Sequence, residues 1–214
     1  MAFEWKLDAE SAKRDGVGGR IKEPGAYSGV LKQVYEIISP KKGSKGLHFS
    51  FEGLDGSKAE MDLWTHSPDG APYLSAQTVN AMMVILKLRG FRTVQGKHKA
   101  YDFDLAKEVE KNGEIAPDFL NKPIGILVNI EEHYNVNSGK TSVKPVIVSV
   151  YDPETGFTAS EILNKAIEPK MKANVEKGLR VVPDKSGSIQ KAAMTTATGY
   201  EENTASSMSD APWD

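Results

Sequence analysis

The chain of 214 residues contains no cysteine. That absence excludes disulfide bonds, thiolate nucleophiles and cysteine-based zinc sites, and it is typical of proteins from a reducing cytosol. Long hydrophobic runs are also missing, because no stretch approaches the ~18 apolar residues of a membrane span. The opening MAFEWKLDAE carries charges where a signal peptide needs an apolar run. We therefore expect a cytoplasmic protein that does not interact with membranes.

Sequence motifs of catalysis and cofactor binding are scarce as well. The stretch NVNSGKTS ends like a phosphate-binding P-loop, but Tyr134 stands where that motif needs its first glycine. The histidines His48, His66, His98 and His133 lack the spacing of a metal site, and we interpret them as solvated residues. The sequence therefore predicts a protein that is not an enzyme and binds neither a metal ion nor a cofactor.

Apolar residues are sparse, at 39% of the chain, which indicates that part of the chain lies outside the core. Residues 201–214 contain four carboxylates and no Lys or Arg, a formal charge of −4. Since the whole chain has a net charge of −2, the remainder carries +2. From position 184 onward Ser, Thr, Ala and Gly dominate, and we expect a disordered acidic tail over 184–214.

Alternating apolar and polar residues predict five strands. They cover 26–38, 47–54, 58–66, 123–135 and 143–151. Asp55-Gly56 between the second and third strands is a strong hairpin signal. In the third strand Met61 and Leu63 share the apolar face, so the alternation places Trp64 on the opposite, polar face. The same reasoning assigns Phe49 and Phe51 to the core.

Three helices are predicted from their periodicity and their end signals. The first covers 75–90, with Ser75 as its N-cap. A second, shorter helix is predicted over 104–113. A third begins with a capping box at Thr158 and ends at Pro169.

The order of these elements predicts a mainly β protein. Five strands with helices inserted after the third are the element order of an OB-like Greek-key barrel, although another five-stranded barrel or a half-sandwich has the same order. We assign the barrel to residues 1–152, a C-terminal helical extension to 153–183 and the disordered acidic tail to 184–214.

Basic residues interleaved with aromatic residues favour nucleic-acid binding. An OB-fold binds single strands across its second and third strands and beneath the loops that join strands one to two and four to five. Those loops carry Lys41, Lys42, Lys45 and Lys140, and Trp64 is on the third strand. The candidate DNA-binding residues are Lys41, Lys42, Lys45, Lys58, Trp64, Lys87, Arg89, Arg92, Lys97, Lys99, Tyr101, Tyr134 and Lys140. Lysines neutralise phosphates, and an aromatic ring stacks on any base with about 1–3 kcal/mol. The alternative is a set of ordinary solvated lysines and a Trp64 that other parts of the chain cover.

The segments MAFEWKLDAE and EPGAYSGVLKQV resemble the start of a family of phage single-stranded-DNA-binding proteins. The resemblance spans about the first 95 residues and is carried by Met1, Ala2, Phe3, Trp5, Asp8, Pro24, Gly25 and Tyr27. It implies binding and protection of single-stranded DNA, without sequence specificity, in phage DNA replication or recombination. It also implies the bacterial host cytoplasm as the location, and it leaves homo-oligomer formation open.

The terminal SDAPWD resembles the acidic tip of bacterial and phage single-stranded-DNA-binding proteins, through Asp210, Pro212 and Trp213. It differs in that Trp213 replaces the usual Phe and Asp214 follows it. The resemblance implies that these four residues recruit replication or recombination proteins. The alternative function is a protein-interaction module, such as a recombination mediator or a host-directed regulator, that does not bind DNA directly.

Overall fold

The computed structural model describes residues 18–102, 105, 107–135 and 139–184. Strands account for 50% of the residues, and eight strands form one open, largely antiparallel sheet. The prediction of a mainly β protein is therefore confirmed. The opening segment and all but the first residue of the predicted tail lie outside the described residues. Within the described part, no helix is long and apolar enough to cross a bilayer.

The first three strands form an antiparallel meander close to the predicted bounds. They are β1 (Gly25–Ile38), β2 (Lys45–Gly53) and β3 (Lys58–His66). Phe49 and Phe51 are 0% and 1% exposed, which confirms that they belong to the core. Alternation along β2 therefore leaves one face of the meander buried and the other directed away from the core.

Helix α1 (Ala76–Ile85) follows β3 and is shorter than the predicted 75–90. The Ser75 hydroxyl does not cap it but donates a hydrogen bond to the carbonyl of Trp64. The helix ends early because Lys87 adopts the left-handed conformation, with φ 57°, in a Schellman motif. Gly90 was therefore the wrong stop signal, and Lys87 lies beyond the last turn.

The predicted helix over 104–113 is wrong. Strands β4 (Val94–Asp102) and β5 (Lys107–Ile115) form an antiparallel hairpin in this region, which we call the arm. Lys and Glu favour helices, but Asn112 and Gly113 do not, and pairing with β4 satisfies the backbone of β5 along its length. Cross-strand pairing thus outweighs the weak local preference.

The remaining long strands, β6 (Pro123–Asn135) and β7 (Lys140–Tyr151), form a second hairpin on the other edge of β1. The first half of β1 pairs with β6, and farther along the same edge Tyr35 pairs with Ile115 of β5. The two hairpins therefore branch from one edge of β1. Strand β7 also packs against β3, without forming a ladder with it.

A short 3-10 helix (Pro117–Phe119) links the arm to β6 and contributes to the core. Phe119 is 0% exposed and makes edge-to-face contacts with Phe49, at 6.4 Å between ring centroids, and with Phe91, at 4.8 Å. Phe91 belongs to the segment between α1 and β4. Phe119 therefore joins this segment to the core of the meander.

The C-terminal extension contains α2 (Ala159–Leu163), α3 (Met171–Glu176) and strand β8 (Val181–Val182). Strand β8 pairs with β6 in parallel, next to the pairs that β6 forms with β1. The Asp184 carboxylate then accepts a hydrogen bond of 2.7 Å from the backbone N–H of Tyr134. Asp184, the last of the described residues, therefore lies beside the end of the β6–β7 hairpin.

The capping box at the start of α2 is confirmed, since the N–H of Thr158 donates to Glu161 Oε2 at 2.9 Å. The predicted continuation of this helix to Pro169 is wrong. The other carboxylate oxygen of Glu161 accepts hydrogen bonds from the backbone N–H groups of Lys170 and Met171, both at 2.7 Å. These bonds fold the chain back after one and a half turns.

Candidate nucleic-acid interface

The outer face of the meander carries a network of charged side chains around His48. His48 Nδ1 donates to Asp62 Oδ1 at 2.6 Å, and His48 Nε2 donates to Glu60 Oε2 at 2.8 Å. Lys144 of β7 reaches the same carboxylate, with 2.6 Å between its Nζ and Asp62 Oδ2. The interpretation of His48 as a solvated residue is therefore wrong, since its side chain is only 17% exposed.

The charges of this network balance one another. Burial alone would lower the pKa of His48, but its hydrogen bonds with Asp62 and Glu60, together with their charges, raise that pKa to about 9. Burial would raise the pKa of Asp62, but hydrogen bonds from His48 and Lys144, together with their charges, lower it to about 2. At neutral pH two cations therefore face two carboxylates, and the network has no net charge.

The protonated His48 makes stability depend on pH in the alkaline range. Its raised pKa means that its contribution is complete below the unfolded value near 6.5 and is lost as the pH rises through about 9. We expect the free energy of unfolding to fall by at most about 3 kcal/mol over this range. Urea unfolding from about pH 7 to about pH 9.5 measures it.

The control for this pH dependence is His48→Gln, which removes the titrating group and keeps one hydrogen-bonding side chain. Its unfolding free energy should be lower at neutral pH and nearly level across the same range. Parallel curves for the two proteins would contradict the assignment of a charged His48.

The arm lies across this outer face through a stack of aromatic rings. Tyr35 of β1 stacks on His48, with 4.7 Å between ring centroids, and on His98 of the arm, with 3.8 Å. The backbone N–H of Lys99 also donates to Gln33 Oε1 at 2.6 Å. Tyr35 is consequently only 8% exposed, and burial together with the charges of the nearby carboxylates raises its pKa to about 12.

Six of the predicted DNA-binding residues come from the β1–β2 turn, the start of β2 and the segment that follows α1. We call them the basic cluster: Lys41, Lys42, Lys45, Lys87, Arg89 and Arg92. Lys45 at the start of β2 and Phe91 line the same groove of about 420 Å³, which brings the β1–β2 turn and the α1–β4 segment together. All six side chains are exposed, and among the residues that the structure describes none of the six forms an ion pair with a carboxylate.

Aromatic rings lie beside the basic cluster. Trp64 is 36% exposed, which confirms its position on the polar face, and it pairs with Gly46, the neighbour of Lys45. Tyr73, in the loop after β3, is 39% exposed, and its hydroxyl lies 3.1 Å from Ser44 Oγ in the β1–β2 turn. Sequence reasoning missed Tyr73, although it is the single aromatic residue of the loop between β3 and α1.

The other predicted residues lie elsewhere. Lys58 borders a groove of about 500 Å³ that also contains Arg20 and three carboxylates. Lys97 on the arm pairs with Glu110 at 3.3 Å. Lys99 and Tyr101 extend along the same strand of the arm, whereas Tyr134 and Lys140 lie at the ends of β6 and β7. The predicted set therefore divides into four regions, and the basic cluster contains the most cationic residues.

Within the described ranges, no group of three or more His, Asp or Glu side chains is arranged to hold a metal ion. No family model matches the chain, and no curated protein matches it.

Proposed function

We propose that the protein binds and protects single-stranded DNA, without sequence specificity, during phage DNA replication or recombination. The observation that carries the proposal is the basic cluster, which is free of ion pairs with described residues and lies beside the exposed rings of Trp64 and Tyr73. Cations neutralise phosphates, and rings stack on bases. Because neither contact reads the edge of a base, binding should tolerate any sequence.

We also propose that β1, β2, β3, β6 and β7 form an OB-type barrel. Pairing of β1 with both β2 and β6, packing of β7 against β3, and the position of α1 between β3 and the arm support this assignment. In an OB-fold the β1–β2 turn and the face of the second and third strands are the surfaces that bind single strands. On this proposal, Lys41 and Lys42 in the β1–β2 turn, Lys45 at the start of β2 and Trp64 on β3 would contact the bound strand.

The proposed activity involves no catalytic step and no cofactor, and it would take place in the bacterial host cytoplasm. We further propose that Asp210, Pro212, Trp213 and Asp214 recruit replication or recombination proteins. These four residues lie outside the described residues, so this part of the proposal rests on their resemblance to the acidic tips of other single-stranded-DNA-binding proteins. An aromatic residue in an acidic segment has the chemistry that a partner's basic, apolar pocket binds.

A second candidate function is a protein-interaction module that does not bind DNA directly. The observation that favours it is a run of exposed apolar side chains in the C-terminal extension. Ile162, Leu163, Ile167 and Met171 are 38%, 69%, 95% and 45% exposed. Exposed apolar surface of this kind is typical of contact with another protein. The two functions differ in salt dependence, because binding to phosphates weakens steeply as salt rises.

Substitution of Trp64 tests the proposed base contact. We expect Trp64→Ala to weaken binding of labelled oligo-dT by about 5- to 150-fold, since one stacked base contributes about 1–3 kcal/mol. Fluorescence anisotropy measures the affinity at constant salt. Trp64→Phe, which retains a ring, should lose much less. Equal affinities for the wild type and both variants would exclude Trp64 from the DNA interface.

A further inference from the structure

The arm places an imidazole ring where a nucleobase could stack. The ring of His98 lies 3.8 Å from that of Tyr35, with an angle of 25° between their planes. This is the near-parallel arrangement in which aromatic side chains bind bases of single-stranded nucleic acid. Tyr35 belongs to the outer face of the meander, the same face that carries Trp64 on β3. His98 therefore covers an aromatic surface that continues the proposed interface.

The contact between His98 and the sheet buries a polar atom of the His98 ring. His98 Nδ1 is buried and has no hydrogen-bond partner within the described residues. Burial lowers the pKa of His98, and the charges of His48 and Lys111 lower it further, which favours the neutral ring. A buried polar atom without a partner weakens the closed arrangement. A ring that stacks on Tyr35 without burying an unpaired polar atom can therefore displace His98.

The surroundings of Tyr35 are compatible with an anionic strand. The nearby carboxylates Glu60 and Asp62 are balanced by His48 and Lys144, so the face does not repel phosphate by net charge. A groove of about 350 Å³ separates part of the arm from β1. It is lined by Gln33, Lys97, His98, Lys99 and Glu110. Its volume lies within the range of about 300–1,000 Å³ typical of ligand sites.

We propose that Tyr35 is a second nucleobase-stacking site, which His98 occupies while the arm is closed. The arm lifts when a base of the bound strand replaces His98 on the Tyr35 ring. Lys97 and Lys99, which flank His98 on the arm, then lie beside the phosphates of that strand. This inference rests on the proposed binding of single-stranded DNA and adds a site to it.

Variants of His98 in the full-length chain test the proposal. His98→Ala removes the ring that competes for Tyr35, whereas His98→Phe keeps a stacking ring and buries no unpaired nitrogen. We expect His98→Ala to bind oligo-dT about fivefold or more tightly than the wild type, and His98→Phe to bind no more tightly. His133→Ala is the control, because its side chain is 54% exposed on β6, away from the arm. Thermal unfolding verifies that each variant is folded.

Photo-crosslinking identifies the residue that contacts the base. The probe is oligo-dT with 5-iododeoxyuridine, and the crosslinked peptide is mapped by mass spectrometry. We expect a crosslink at Tyr35 that is stronger in His98→Ala and weaker in His98→Phe than in the wild type. Adding Tyr35→Leu to His98→Ala should remove both the crosslink and the gain in affinity.

The outcomes separate this inference from the proposed function. If the wild type binds oligo-dT but His98→Ala gains neither affinity nor a Tyr35 crosslink, the second site is excluded and the proposed function stands. If neither the wild type nor any variant binds oligo-dT, both are overturned.

Discussion

Replacing Lys41, Lys42 and Lys45 together by glutamine should weaken binding of oligo-dT about 100-fold at about 50 mM salt. These side chains are exposed, and none forms an ion pair with a described residue. Each can therefore neutralise a phosphate without first breaking a contact within the protein. The slope of log affinity against log salt should also become shallower by about 2, because each contact to a single strand contributes about 0.7.

A matched triple variant controls for the loss of charge. Lys165, Lys177 and Arg180 are exposed cations of the C-terminal extension, and none of them forms an ion pair with a described residue. Their replacement by glutamine changes the net charge equally and should weaken binding only a few-fold, through the general field of the protein. Equal losses in the two triple variants would show that total charge, and not the basic cluster, determines the affinity.

Phe119→Ala should lower the free energy of unfolding by about 3–5 kcal/mol. Phe119 is 0% exposed and contacts both Phe49 in the meander and Phe91 beside the basic cluster. Truncation leaves a cavity between these rings, and the short 3-10 helix that carries Phe119 is held by adjoining chain segments, which limits its collapse into that cavity. Urea unfolding followed by circular dichroism measures the loss.

Phe119→Leu is the companion variant, because it keeps most of the buried volume and should cost about 1 kcal/mol. Phe91→Ala, whose ring is only partly buried, should cost less than Phe119→Ala. If Phe119→Ala unfolded at the same urea concentration as the wild type, the 3-10 helix would not be part of the cooperative core.

The strands were predictable because alternation and turn chemistry agree in this sequence. The bounds of β3 match the predicted 58–66, and Trp64 lies on the polar face as expected. Each apolar residue of that strand has a polar neighbour, so only one face can be buried. Asp55-Gly56 then fixes the hairpin with β2.

The alternation of apolar and polar residues does not predict the arm. Its second strand, KEVEKNGEI, has few apolar residues because it crosses the outer face of the sheet and does not enter the core. A strand without a buried face has no alternating pattern, and its Lys and Glu residues then favour a helix. The ring contact between His98 and Tyr35 that positions the arm joins residues far apart in the sequence.

Part of the His48 network could be predicted from the sequence. A two-residue Asp55-Gly56 turn would place His48 opposite Leu63, whereas in the structure His48 lies opposite Asp62. The alternation nevertheless assigned His48, Glu60 and Asp62 to polar faces, and the carboxylate partners were missed because His48 was considered alone. Lys144, in contrast, is 82 residues from Asp62 and reaches it only through the packing of β7 against β3. No local pattern contains that contact.

Salt titration of oligo-dT binding by the full-length protein tests whether it binds single strands through their phosphates. We expect binding at about 50 mM salt that weakens steeply and linearly on a double-logarithmic plot, with little preference among homopolymers and weaker binding to duplex of the same length. No binding at low salt, or binding that does not change with salt, would contradict it. The exposed apolar residues of the C-terminal extension would then make protein interaction the better account.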